Sequence, residues 1–115
     1  MSRRQRHQQQ RRAQDADGFF ATLDPRAVLQ KVLREVDSFR GCPMPQSMTK
    51  LKAALQEHNV HVYLYDLHEF LANRCERLPI LQSRKELRGV CRNNGAFPRN
   101  QAKSEGTRAL LEVLF

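Results

Sequence analysis

Val60–Leu78, VHVYLYDLHEFLANRCERL, carries two periodicities at once, and the choice between them decides the fold. Val60, Val62 and Leu64 alternate as in a half-buried strand, whereas Val60, Leu64, Leu67, Leu71, Cys75 and Leu78 recur at intervals of three and four. The helical register spans the whole stretch and leaves Asp66, Glu69, Asn73 and Glu76 on the opposite, wet face, which strand alternation cannot arrange over so long a run. The spacing therefore predicts a helix over 60–78, closed by Leu78-Pro79, with a short strand over 60–65 as the alternative.

The neighbouring segments agree with a helical reading. Upstream, Asp24-Pro25 is a helix-start signal, with Asp as N-cap and Pro in the first turn. Val28, Leu29, Val32, Leu33, Val36 and Phe39 then fall on one side of a helix expected to reach about Arg40. Gly41, Pro43 and Pro45 break the chain before a second helix in SMTKLKAALQEHN, whose apolar face is Met48, Leu51, Ala54 and Leu55 and whose stop is Asn59. Downstream, Ser83 and Glu86 stand three apart as a capping box, and Asn94-Gly95 ends the helix they open. AFPRNQAKSEGTRALL is a loop leading to a terminal helix.

The expected fold class is all-α, a compact bundle of four or five short helices behind a disordered basic N-terminal arm. Residues 1–18 form that arm: apart from Met1 and two Ala they hold no apolar residue, too little to offset the entropy of ordering them. Residues 19–110 are the helical domain. LEVLF at 111–115 matches the start of a picornaviral-protease cleavage site common in expression vectors, and is set aside as a vector-derived remnant.

Charge is unevenly distributed within the formal total of +8. Residues 1–14 hold five Arg and no acid, the stretch 15–73 holds more acids than bases, and 74–110 holds nine basic side chains against three acidic ones. Basic ends on a near-neutral middle suit a polyanionic partner, RNA or DNA, or else an acidic protein surface. Three cysteines with no close pair do not form a disulfide framework, and no apolar run approaches the roughly 20 residues a bilayer requires. No membrane role and a location in the nucleus or cytoplasm are expected.

Two basic segments are the candidate nucleic-acid-binding sites. Arg3, Arg4, Arg6, Arg11 and Arg12 lie in a Gln-rich context without aromatic residues, which suits phosphate neutralisation and not base stacking. Arg84, Lys85, Arg88 and Arg92 occupy one arc of the helix after Ser83, where Arg offers bidentate geometry to phosphate; a solvated face that complements the helix dipole is the competing explanation. Phe19 and Phe20 could dock into a partner groove, or serve with Leu23 and Val28 as a staple fixing the first helix, the reading favoured here.

Catalytic and cofactor chemistry finds little purchase. There is no Gly-rich phosphate loop, no nucleophile elbow and no paired-carboxylate motif. His61, His68 and Cys75 are spaced by seven, about 10 Å along a helix and too far apart for one zinc ion. No metal, cofactor or catalytic residue is expected. The sequence thus points to a non-enzymatic helical module that binds the RNA or DNA phosphate backbone without sequence preference, within a nucleoprotein complex. The alternative is an N-terminal protein-interaction, scaffold or adaptor, domain of a larger protein.

Overall fold

Asn73 stops the helix that the opening stretch was expected to carry to Leu78. In the computed structural model, which describes the backbone of residues 3–114 and the side chains of 11–98 and 100–114, Asn73 has φ 61°. Its N–H donates to Phe70 O and the N–H of Arg74 donates to Glu69 O, at 3.1 and 2.9 Å. That pair of bonds is a Schellman motif, which satisfies the last carbonyls and turns the chain out of the helix. Asn59, at φ 53°, ends the preceding helix in the same way, through Asn59 N–H to Gln56 O and Val60 N–H to Leu55 O.

The described residues are all-helical, with six α-helices and two 3₁₀ turns. The helices are α1 (Arg3–Ala21), α2 (Pro25–Arg34), α3 (Met48–Glu57), α4 (Leu64–Leu71), α5 (Arg84–Asn94) and α6 (Glu105–Leu114), with 3₁₀ turns at Asp37–Phe39 and Arg99–Gln101. The radius of gyration, 14.0 Å, is close to the roughly 13 Å of a folded chain this long, so the bundle is compact. None of the described helices is long and apolar enough to cross a membrane.

Both periodicities of Val60–Leu78 contribute, in succession. Val60 and Val62 alternate inward, while His61 between them exchanges both backbone hydrogen bonds with Leu81 in an isolated antiparallel bridge. Helical phasing takes over at Leu64 and buries Leu64, Tyr65 and Leu67. The expected 60–78 helix is therefore corrected to 64–71, and Leu78 reaches the core from a loop.

α2 shows a similar shortening. Asp24 caps it by accepting from Arg26 N–H, as expected, but it ends at Arg34 instead of Arg40. Val36 and Phe39 still reach the core because the 3₁₀ turn at Asp37–Phe39 keeps residues three apart on one side. α3 opens with Ser47 accepting from Lys50 N–H.

The largest correction concerns the arm. Residues 11–18, expected to be disordered, continue helix α1, and Ala13, Ala16 and Phe20 at i, i+3 and i+7 are buried in the core. Two methyl groups contribute little area, yet their smallness lets α1 lie close against α4 and α6. Asp17 fastens the crossing: its carboxylate accepts from the N–H groups of Lys103 and Ser104 and from the Ser104 hydroxyl, each at 3.1 Å. Ser104 in turn accepts from Thr107 N–H at the start of α6.

Partial burial pushes the Asp17 carboxyl up, but the donors of Ser104, Thr107 and Lys103 outweigh it and hold the pKa below the ordinary carboxylate value. A carboxylate depressed in the folded state stabilises the fold above the unfolded pKa, and that contribution is lost as pH falls through the folded one. Asp17→Ala should lower stability by about 1 kcal/mol at neutral pH. The gap between variant and parent should close in acid, below the unfolded carboxylate pKa of about 3.9, in urea titrations followed by circular dichroism.

α6 completes the core with Gly106, Thr107, Leu110 and Leu114, all buried. The domain therefore extends beyond the expected limit at 110: Leu114 is fully buried and its carbonyl accepts from Val62 N–H at 3.2 Å. Residues 111–114, set aside from sequence as a remnant, are part of the packed fold.

Gly106 is where α6 meets α1. A Cβ at this position would sit 2.9 Å from the backbone oxygen of Phe20, which no side-chain rotation can move away. Gly106→Ala should accordingly cost about 1–3 kcal/mol through forced separation of the helices, read as a lowered melting temperature.

Candidate nucleic-acid interface

α5 is the helix least absorbed into the core. Leu87 is its buried residue, Val90 and Cys91 are half-buried, and α5 takes no part in the close pairings that link α1, α2, α3, α4 and α6. At 100° per residue the apolar stripe and the basic residues Arg84, Lys85, Arg88 and Arg92 occupy neighbouring arcs, the basic one about 100° wide. All four cations are exposed, and among the described residues none forms an ion pair.

The acid on the same helix is engaged in its cap. Ser83 caps α5 by accepting from Glu86 N–H at 3.2 Å, and the Glu86 carboxylate reaches back to Gln82 N–H at 2.8 Å. The reciprocal box is thus formed one residue earlier than expected, with Gln82 supplying the second donor in place of Ser83. The Glu86 carboxylate is thereby held at the start of α5, where Arg84 and Lys85 also stand, and among the described residues it pairs with none of the four cations.

Arg12 joins the two basic segments. Its guanidinium lies 3.7 Å from the centroid of the Tyr65 ring and 5.9 Å from that of Tyr63, and it donates to Asn94 O at 3.3 Å. The Tyr63 hydroxyl also donates to the carbonyls of Asn94 and Gly95, so the C-terminal end of α5 is held by α1 and α4 side chains together. Positive charge at that end complements the helix dipole. Burial pushes the Tyr65 phenol up to about 12 and also raises Tyr63, with Arg12 opposing both, so both rings stay neutral beneath the cation.

The expected site residues therefore separate into groups. Arg84, Lys85, Arg88 and Arg92 form one exposed face. Arg11 is exposed in the middle of α1 beside Arg12, whereas Arg12 itself is committed to Tyr65 and Asn94 and acts first as a clamp. The side chains of Arg3, Arg4 and Arg6 lie outside the described residues. Of the two Phe, Phe20 is 1% exposed, and half-buried Phe19 lies against His68 with centroids 4.8 Å apart and ring planes tilted by 44°. Both pack the end of α1 against His68 of α4.

Sequence inspection missed the Arg12 clamp because its acceptor lies 82 residues away. Tyr63 just before α4 was the available signal, since a buried phenol seeks a polar partner, and Tyr65 offered a ring face to a cation.

His58 and His68 have structural partners. His58 Nδ1 is hydrogen-bonded to the Ser38 hydroxyl at 2.8 Å and meets Phe39 edge-on. His68 packs on Phe19 and Phe20, and its burial lowers its pKa. Among the described residues no group of three His, Cys, Asp or Glu side chains could hold a metal ion.

Two surface clefts, of about 690 and 720 Å³, share Arg34 and Glu35, and the second reaches Gln82 beside the start of α5. Each mixes acids with bases, Glu35 and Glu76 with Lys31, Arg34 and Arg74 in the first, and Glu35 and Asp37 with Arg34, Arg40 and Arg77 in the second, so neither presents a field of one sign. No family model, curated protein or solved structure matches the chain.

Proposed function

We propose that this domain is a non-enzymatic nucleic-acid-binding module that grips the phosphate backbone through α5, within a nucleoprotein complex of the nucleus or cytoplasm. The observation that carries this reading is the exposed arc of Arg84, Lys85, Arg88 and Arg92, free of ion pairs among the described residues and continued towards Arg11 by the Arg12 clamp.

Four cations on a face that the core does not use create a local positive potential, and phosphate neutralisation releases the counterions that drive such binding. A solvated helix face needs charge only for solubility. It does not need its basic residues gathered on one side of the helix. The contacts this face can make are positional, so sequence preference is weak.

Equilibrium binding of fluorescently labelled mixed-sequence DNA and RNA at low salt tests the proposal. The parent should bind, and Arg88→Ala should weaken binding while melting stays the same. Absence of binding at low salt would return the domain to the alternative of a protein-interaction scaffold, with the same basic face meeting an acidic partner.

A further inference from the structure

We infer that the ligand of the α5 face is duplex DNA, engaged by laying α5 into the major groove; the inference rests on the phosphate-binding reading above. Shape is the first argument. α5 is anchored by Leu87 with Val90 and Cys91 and leaves the rest of its circumference outside the core, so it presents a convex rod instead of a trough. A helix with its side chains is about 10–12 Å across, and the B-form major groove is about 12 Å wide. The major groove of A-form RNA is too narrow and deep for such a rod.

The second argument is that, among the described residues, no stacking platform lies beside α5. Single strands are held chiefly by bases stacking on aromatic side chains beside a basic groove. α5 has no aromatic residue, and the rings nearest it in the fold, Tyr63, Tyr65 and Phe97, are buried. Arg12 covers the face of Tyr65. Charge without exposed rings favours a ligand whose bases are already stacked in a duplex.

Gly89 supplies the third. It sits mid-helix, where glycine is less favourable than alanine, and a Cβ there would meet nothing within 4 Å. Packing within the domain therefore gives no reason for glycine. On the helix it lies one turn beyond Lys85 and adjoins the arc of Arg88 and Arg92. A missing side chain at that point lets a groove wall approach the α5 backbone while Arg88 and Arg92, both on one side of it, reach the phosphates along that side.

The test compares a short mixed-sequence DNA duplex, the RNA duplex of the same sequence and the corresponding single-stranded DNA, each titrated with the full chain at one low salt concentration. Duplex DNA should bind about tenfold more tightly than either competitor. Gly89→Ala should raise the melting temperature and weaken duplex DNA several-fold, with single-stranded DNA little affected.

Equal or tighter binding of RNA duplex or single strands, with Arg88→Ala still weakening all three, would overturn the duplex-DNA assignment while leaving phosphate binding intact. Unchanged duplex affinity in Gly89→Ala would overturn the close approach at α5. Failure of all three ligands to bind would remove both this inference and the reading beneath it.

Discussion

Leu67→Ala is expected to destabilise the domain by about 2–5 kcal/mol, the largest single-residue effect on stability foreseen here. Leu67 is fully buried in the middle of α4, within the one core cluster to which α1, α2, α3, α4 and α6 all contribute. Truncation removes the branched end of the side chain and leaves a cavity, and the neighbours can relax into it only partly because their helices are fixed elsewhere. α4 itself is held at both ends, by the His61–Leu81 bridge before it and the Asn73 turn after it. A domain of this size has about 5–15 kcal/mol in total, so a large part of its margin would go. Chemical denaturation should show a lower midpoint with an unchanged slope.

Removing the α5 arc should have the opposite pattern. Arg84→Ala, Arg88→Ala and Arg92→Ala combined are expected to leave the melting temperature within a few degrees of the parent. The three side chains are exposed and, among the described residues, have no ion-pair partner to lose. Alanine also favours the helix slightly. Binding to nucleic acid at low salt should fall by about a hundredfold, because three phosphate contacts are withdrawn from one face. A melting temperature lowered as far as by Leu67→Ala would mean that these residues hold α5 in place, and an unchanged affinity would mean that the arc is a solvated surface.

Local signals in the sequence were read well where the structure uses local bonds. Asp24 and Ser83 cap helices through their own side chains, and Asn59 stops one, because each of these interactions closes within a few residues. Asn73 offered the same signal as Asn59 but stood inside a longer apolar repeat, and the repeat masked it. Periodicity at three and four is blind to a helix that ends while its next apolar residue still reaches the core, as Leu78 does from a loop and Phe39 from a 3₁₀ turn.

Residues 11–18 of the expected arm were misjudged for a different reason. Apolar content measures area, whereas α1 is held by small residues that permit close approach and by Asp17 bonding to Lys103 and Ser104, which no neighbouring sequence announces. The candidate site was legible in the same uneven way. The arc on α5 follows from spacing within eleven residues, but its connection to α1 through Arg12, Tyr65 and Asn94 exists only in three dimensions.

Salt dependence of binding is the most direct test of the central claim. For the parent chain with a mixed-sequence DNA duplex, the logarithm of the association constant should fall linearly with the logarithm of salt concentration. Four arc cations on phosphates predict a slope of about −3.6 or steeper. An affinity that stays flat from about 50 to 200 mM salt, or no complex at the lower value, would contradict phosphate recognition by α5.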